Sequence, residues 1–324
     1  MTSASHPSRD HDAIIVGGGA AGLSAALMLG RARRRVLVID SGLPRNRFAS
    51  HMHGVLGNEG APPFELLRRG RDEAASYGVE FLEGTVRAVH DAQDGLRITL
   101  ADGSEANGRA LLATTGISDE LPDIAGLAER WGQSVLHCPY CHGWEVRDQR
   151  LAVLATGPGS LHQARMVRQW SDRVTLFSAE MGPVDPADER QLRSRGVEIV
   201  ASRVREITGS GTSISAIRTE DGASIAVDAV FTGGRPVPHD GFLEALDLAR
   251  VASPAGPGTF LEVDATGRTS HDRIWAAGNV VNPMATVPMA MGAGAMAGAA
   301  VNGALVDADF RSAEQRPVLS PAAR

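Results

Sequence analysis

The stretch Ala13-Ile-Ile-Val-Gly-Gly-Gly-Ala-Ala-Gly22 decides the fold. Ala13 to Val16 is a short apolar run suited to a buried strand. Gly17, Gly19 and Gly22 then spell G-x-G-x-x-G, and from Ala20 to Arg31 apolar residues recur at helical spacing. Val36 to Ile39 is a second apolar run that ends at Asp40. This is a β-α-β unit in which each glycine has a task. The first permits the tight turn, the second lets a pyrophosphate approach the backbone, and the third lets helix pack on strand. The free N–H groups at the helix start, Ala20 and Ala21, favour phosphate. Asp40, 18 residues beyond Gly22, stands where an acid binds ribose hydroxyls. The basic run Arg33 to Arg35 suits the negative end of the helix.

A second unit of the same kind begins at Leu151. Leu151 to Ala155 is apolar, Gly157-Pro158-Gly159 is the turn, Ser160 to Trp170 has helical spacing, and Val174 to Phe177 is the next strand. Similar text follows each unit. Gly196 lies 118 residues after Gly78, Asp221 lies 119 after Asp102, and Thr232 lies 117 after Thr115. Short β-like runs, Leu96 to Leu100 and Ser213 to Ile217, fall between these landmarks. Two copies of one nucleotide-binding architecture explain the pattern. The second turn is the poorer one: Ala164 is the nearest later small residue, Pro158 removes a donor, and Glu180 rather than arginine follows the strand at Phe177. NADPH binding is therefore not expected. Arg273 to Gly278 reads as one more strand ending in glycine, followed by a Gly/Ala-rich helix. A lone strand–helix unit should complete the sheet of one copy.

The densest chemical signal is His137-Cys-Pro-Tyr-Cys141-His142-Gly143. A C-x-x-C pair can close and reopen a small disulfide ring, and a turn or helix start there favours thiolate. Zinc is disfavoured, since four ligands so close in sequence do not easily converge on one tetrahedral centre. Either His137 or His142 could work beside the sulfurs or simply bond the backbone.

The 324 residues contain 43% hydrophobic but 4% aromatic residues, and 37 glycines, a balance suited to a closely packed α/β protein. A net charge of −6 gives no reason to expect nucleic acid or an anionic membrane as partner. Residues 1–10 are polar with no apolar core, so a secretory signal is not expected, and two cysteines three apart suggest a reducing, cytoplasmic setting. Val287 to Val306 has the length of a membrane span and contains Gly294-x-x-x-Gly298, but it is mostly Ala and Gly and includes Asn302. A tightly packed helix is the expected reading.

Over roughly residues 11–308 the chain resembles the low-molecular-weight thioredoxin reductase family. The landmarks are Gly17-x-Gly-x-x-Gly22, Thr115-Gly116, Cys138-x-x-Cys141 and Ala277-Gly278-Asn279. The resemblance implies an α/β fold with two Rossmann-like three-layer domains, the second inserted into the first. The expected bounds are 11–116 with 239–310 for the FAD domain and 117–238 for the insertion, with 1–10 and 311–324 as tails. It also implies FAD held by the first glycine turn, Asp40, Thr115, Gly116, Gly278, Asn279, Thr286 and Val287. Cys138 would then exchange with substrate while Cys141 faces the flavin. Three departures stand out: His142 replaces the usual acid after the second cysteine, the NADPH-binding basic cluster is missing, and Asn279 replaces the usual Asp. The His-Cys-x-x-Cys-His pattern resembles the dithiol oxidases of gliotoxin and holomycin type. That branch implies a small-molecule dithiol substrate, O2 as electron acceptor, and a homodimer. A reductase running electrons the other way, and a flavin sensor without turnover, remain alternatives. The substrate pocket falls in loops without a motif, such as Pro44 to Gly60.

Overall fold

A computed structural model describes residues 11–157, 159–253 and 258–315. The expected tail 1–10, the part 316–324 of the expected tail 311–324, Pro158 and residues 254–257 lie outside the described residues.

The first glycine turn sits as its sequence requires. Strand β1 (His11–Val16) leads through Gly17–Gly19 into α1 (Ala20–Arg31), and β2 (Val36–Asp40) returns parallel to β1. Helix α2 (Pro63–Ala75) and β3 (Glu80–Glu83) follow, with β3 parallel to β2. Strands β4 (Val86–Ala92), β5 (Gly95–Leu100) and β6 (Glu105–Ala113) form an antiparallel meander. Strand β6 also pairs with β1, from Gly108 opposite His11 to Ala113 opposite Val16. It thus joins the meander to the parallel sheet.

Next come β7 (Ile117–Glu120), β8 (Val135–Leu136), the one-turn helix α3 (Pro139–His142), and the second β-α-β unit. That unit consists of β9 (Leu151–Leu154), α4 (Gly159–Val167) and β10 (Val174–Phe177), followed by α5 (Pro186–Ser194) and β11 (Glu198–Val200). Strands β12 (Val204–Thr208), β13 (Ala216–Thr219) and β14 (Ser224–Ala226) repeat the antiparallel meander, and β15 (Ala229–Phe231) returns to the sheet. The second sheet has the order β11-β10-β9-β15-β8, all parallel. The chain leaves by β16 (Arg235–Pro238), which pairs antiparallel with β7, Pro238 facing Ile117. The entering and leaving segments therefore run as one two-stranded ribbon.

The hairpin β17 (Arg250–Ala252) and β18 (Thr259–Leu261) precedes β19 (Ile274–Ala276). β19 completes the first sheet by pairing with the C-terminal part of β6, as the orphan strand–helix unit required. Helix α6 (Val287–Glu314) closes the chain. It is long and apolar enough to cross a membrane, but its small-residue stripe is occupied by α1. A Cβ on Gly294 would run into the Ala21 carbonyl oxygen, and one on Gly298 would lie 2.9 Å from the Ala25 carbonyl oxygen.

The repeated landmarks occupy matching places, with one shift. Asp102-Gly103 turns β5 into β6, and Asp221-Gly222 turns β13 into β14. The threonine equivalent to Thr232 is Thr114 rather than Thr115. Thr114 Oγ1 donates to the Val16 carbonyl at 3.0 Å, and Thr232 Oγ1 donates to the Leu154 carbonyl at 3.0 Å. Each bond ties the end of the strand that rejoins the sheet after the meander, β6 or β15, to the end of its parallel neighbour, β1 or β9.

Three expected bounds move. α6 runs to Glu314 rather than ending at 310, because Arg34 and Arg109 both hold Asp309 and fasten the last turns. α4 stops at Val167 instead of Trp170, where Gln169 and Trp170 switch to tighter three-residue bonds. The run at Ser213 begins as a turn, its carbonyl accepting from Arg130, and the strand starts at Ala216.

Candidate functional site

The first glycine turn divides its tasks among its residues as expected. Gly17 has φ +105°, and a Cβ there would lie 2.5 Å from the Thr114 carbonyl oxygen. A Cβ on Gly22 would collide with the Gly17 carbonyl, so Gly22 sets how closely α1 approaches the turn. Gly19 has nothing within 4 Å of a built Cβ and faces open space. As N-cap of α1 it offers no side-chain oxygen, and the first turn has no acidic residue. The N–H groups of Ala20, Ala21 and Gly22 are therefore left for a bound anion.

All this opens into one cavity of about 1940 Å³, large beside the few hundred to roughly 1,000 Å³ of ordinary ligand pockets. Gly17, Gly19, Ala20, Ala21, Asp40, Thr115, Gly116, Gly278, Asn279, Thr286 and Val287 line it, together with Cys138, Cys141, His137 and His142. Of the residues expected to hold the cofactor or do the chemistry, only Gly22 does not, since it packs beneath the turn. The start of α6 also faces the cavity, with Thr286 as N-cap and no side-chain cap. Thr115 Oγ1 is buried without a partner among the described residues, an acceptor and donor left for a bound molecule. Asp40 has a neighbour not foreseen, since Arg71 reaches its Oδ2 at 3.2 Å.

Asn279 corrects an expectation in part. Its side-chain amide donates to the carbonyls of Asn282 at 3.1 Å and Ala285 at 2.9 Å. The N–H₂ thus holds the 279–285 loop, and only the amide oxygen is left for a ligand. An aspartate here would set carboxylate oxygens against those carbonyls, which accounts for Asn in place of the usual acid.

The dithiol sits on α3. Cys138 is the N-cap of that turn and Pro139 begins it. The Cys141 S–H, with the Tyr140 and Cys141 N–H groups, stabilises the Cys138 thiolate and brings its pKa down to about 7. The same hydrogen bond, and burial, push the Cys141 thiol up. In the reduced chain the thiolate is therefore Cys138, and Cys141 keeps its proton. Trp170 supports the turn: Tyr140 meets its ring edge-to-face at 5.7 Å, and a Cβ on Gly143 would lie 2.7 Å from that indole. Gln163 Nε2 donates to the His137 carbonyl at 2.8 Å.

Both histidines are held below their ordinary pKa, chiefly by burial, so both are neutral bases at pH 7. Each has an Nδ1 that is buried without a partner among the described residues. For His142 the Glu145 carboxylate pulls the other way, and for His137 the Arg45 cation adds to the lowering.

Three residues around the dithiol carried no sequence signal. Arg45 is a cation acting on both cysteines. It is locked by two bonds to Asp119, at 2.7 and 2.8 Å, and one to the Pro283 carbonyl at 2.9 Å. His53 comes from the same loop and meets the His142 ring edge-to-face, centroids 6.4 Å apart. Glu145 Oε1 lies 3.6 Å from His53 Nε2. Only long-range packing brings these groups together.

The second glycine turn is built differently. Ser160 Oγ takes the Thr156 N–H at 3.0 Å. Glu180 beyond β10 is paired with Arg203 at 3.2 Å. No arginine stands near in sequence after Phe177, but the fold returns one from β12's approach. A smaller cavity of about 410 Å³ is lined by Glu180, Arg203 and Glu220.

Residues 11–294 match the family described as pyridine nucleotide-disulphide oxidoreductase. The chain belongs to that family. It is a FAD-dependent thiol–disulfide oxidoreductase. Thioredoxin reductase tcpT of Claviceps purpurea is 33% identical over 297 residues, covering 87% of this chain and 90% of that protein. The solved structure of HlmI is 41% identical with a TM-score of 0.87, covering 94% of this chain and 95% of that one. An oxidoreductase from Agrobacterium tumefaciens, 37% identical, has the same TM-score over 92% of this chain and 99% of its own. The family is flavin-binding, and the open cradle at Gly19, the two uncapped helix starts and the unpartnered Thr115 hydroxyl fit such a cofactor.

Proposed function

We propose that the protein is a dithiol oxidase: it closes a disulfide in a small natural-product dithiol and passes the electrons to O2. The observation that carries this reading is that the dithiol and the complete nucleotide cradle line one cavity, while the second nucleotide position has an acid tied to its nearest arginine. HlmI, similar to this chain over nearly all its length, supports the small-molecule branch. The net reaction joins one dithiol and one O2 to give one cyclic disulfide and hydrogen peroxide.

One substrate thiolate attacks the sulfur of Cys138 in the Cys138–Cys141 disulfide, and Cys141 leaves as thiolate. The second substrate thiol then displaces Cys138 and closes the substrate's disulfide. Lowering the Cys138 pKa to about 7 makes it a good leaving group, since a lower-pKa thiol leaves faster. His142, a neutral base by its burial, accepts the thiol proton. FAD, when bound, would supply a two-electron acceptor that O2 can reoxidise, and the resemblance assigns Cys141 as the sulfur that passes electrons to it. Gly17, Gly19, Ala20 and Ala21 would hold its pyrophosphate and Asp40 its ribose; Gly278, Asn279, Thr286 and Val287 line the remainder.

The reading includes an FAD domain of residues 11–116 and 239 onward to the end of α6 at Glu314, an insertion of 117–238, a homodimer, and a cytoplasmic setting. NADPH is not its donor. A reductase is the second reading, favoured by the name of tcpT and by Arg203 at the second nucleotide position. Oxygen uptake separates the two: steady uptake with dithiothreitol supports the oxidase, and uptake absent while NADPH bleaches the flavin supports the reductase.

A further inference from the structure

Dithiol oxidation leaves two protons behind for every electron pair that departs. His142 lines the cavity, but its Nδ1 is buried with no hydrogen-bond partner among the described residues, so a proton on that side of the ring needs an acceptor. His53 stands beside it. Its Nδ1–H donates to Glu59 Oε1 at 2.7 Å, and the other Glu59 oxygen accepts from the Gly54 N–H at 2.8 Å. Glu59 thus engages both the His53 ring and the backbone beside it, which orients the ring. Nε2 faces Glu145 Oε1 at 3.6 Å, and the His53 ring lies edge-to-face with the His142 ring, their centroids 6.4 Å apart. Two carboxylates, Glu59 and Glu145, therefore flank the ring nitrogens of His53. Glu59 is largely exposed, its side chain 64% accessible, whereas His53 is 20% accessible, so the path leads outward. His142 and Glu145 follow the dithiol, while His53 and Glu59 belong to the loop after β2, so the path joins two separate parts of the fold.

We propose that His53 is the positioning and relay residue that takes the dithiol proton from His142 and delivers it to solvent beside Glu59 and Glu145. The proposal rests on the dithiol turning over, in either direction. Per turn, two thiol S–H bonds break, two electrons leave through the cysteine pair, and the protons pass from His142 by way of His53 to water; forming hydrogen peroxide from O2 takes two protons back from water, so the net reaction releases none. The groups facing His53 are Glu59 from its own loop, and Glu145 and His142 from the dithiol segment; His137 acts on His142 from β8's end.

The test mixes anaerobic, flavin-loaded protein with dithiothreitol and follows flavin bleaching against pH. His53→Ala should slow bleaching about 10-fold or more, and added imidazole should restore much of the rate. Glu145→Gln, which keeps the side chain's shape, should move the acid limb of the pH profile. A wild-type rate and profile in His53→Ala would overturn the relay, as would a slowed variant that imidazole does not rescue. If His53→Ala fails to hold flavin, the Glu145→Gln profile decides, and an unshifted limb counts against it. Bleaching reads the relay and oxygen uptake by the wild type reads the oxidase proposal, so either can fail alone.

Discussion

The turn at Gly17–Gly22 and the turn at Gly157–Gly159 share a plan, a parallel strand running into a helix beside a threonine bonded to that strand's end. They differ in what the turn leaves free. At the first, the helix start is uncapped and Gly19 opens on the cavity. At the second, Ser160 already takes a backbone donor and Glu180 is paired with Arg203. The two copies thus share one architecture and line one cavity, and they differ in which polar groups beside the turn are already paired.

The sharpest way to break this comparison is to add side chains to both turns. Gly22→Val should abolish flavin content, because even a Cβ collides with the Gly17 carbonyl. Gly159→Val should leave flavin content unchanged, since a Cβ there meets nothing within 4 Å. The flavin absorbance of the purified variants checks both, and equal loss in the two would remove the distinction.

Within the dithiol, Cys138→Ser and Cys141→Ser should each abolish turnover but differ in colour. With Cys138 gone, Cys141 loses the hydrogen bond that holds its proton and should give a long-wavelength band beside oxidised flavin. A band only in Cys141→Ser would reverse the two sulfurs' roles.

His142→Ala should slow flavin reduction by dithiol roughly 10²-fold, the usual range for a lost general acid–base group. The sign follows from its lowered pKa: the base form persists to below the ordinary value of about 6.5, and the rate falls only as pH drops beneath that. In the variant this acid limb should vanish. A loss confined to His137→Ala would transfer the role. In the reduced protein, alkylation of Cys138 should rise with pH through about 7, as its thiolate forms; mass spectrometry of the alkylated peptide reads it.

The smallest effect concerns the second turn. Glu180→Ala frees Arg203, and a charge-assisted bond to a 2′-phosphate is worth about 1.5–3 kcal/mol, so NADPH should bind roughly tenfold tighter or more. Calorimetry reads this, and unchanged binding would mean that Arg203 does not reach the phosphate.

The parts legible in sequence were those with a local period or a fixed spacing. The strand–glycine–helix run at Ala13 to Arg31 and the Cys138–Cys141 spacing encode their geometry within a few residues. The repeat separations gave the duplication, although Thr115 had to yield to Thr114 because a hydrogen bond, not a dipeptide, defines the equivalence. Arg45, His53 and Arg203 were illegible. Each lies in a segment without periodicity, and each meets partners brought by sheet pairing from far along the chain. The tie of Asn279 to its own loop was equally hidden, since the motif gives the residue but not where its amide turns.

The central claim is that electrons enter through the dithiol and leave to oxygen. Anaerobic stopped-flow mixing of the wild-type protein with dithiothreitol or with NADPH, followed by admission of oxygen, tests it most directly. The account predicts flavin bleaching by dithiothreitol, no full bleaching within a second by sub-millimolar NADPH, and return of the yellow colour with peroxide when oxygen enters. Full bleaching by NADPH within that second, with no oxygen uptake under dithiothreitol, would contradict it.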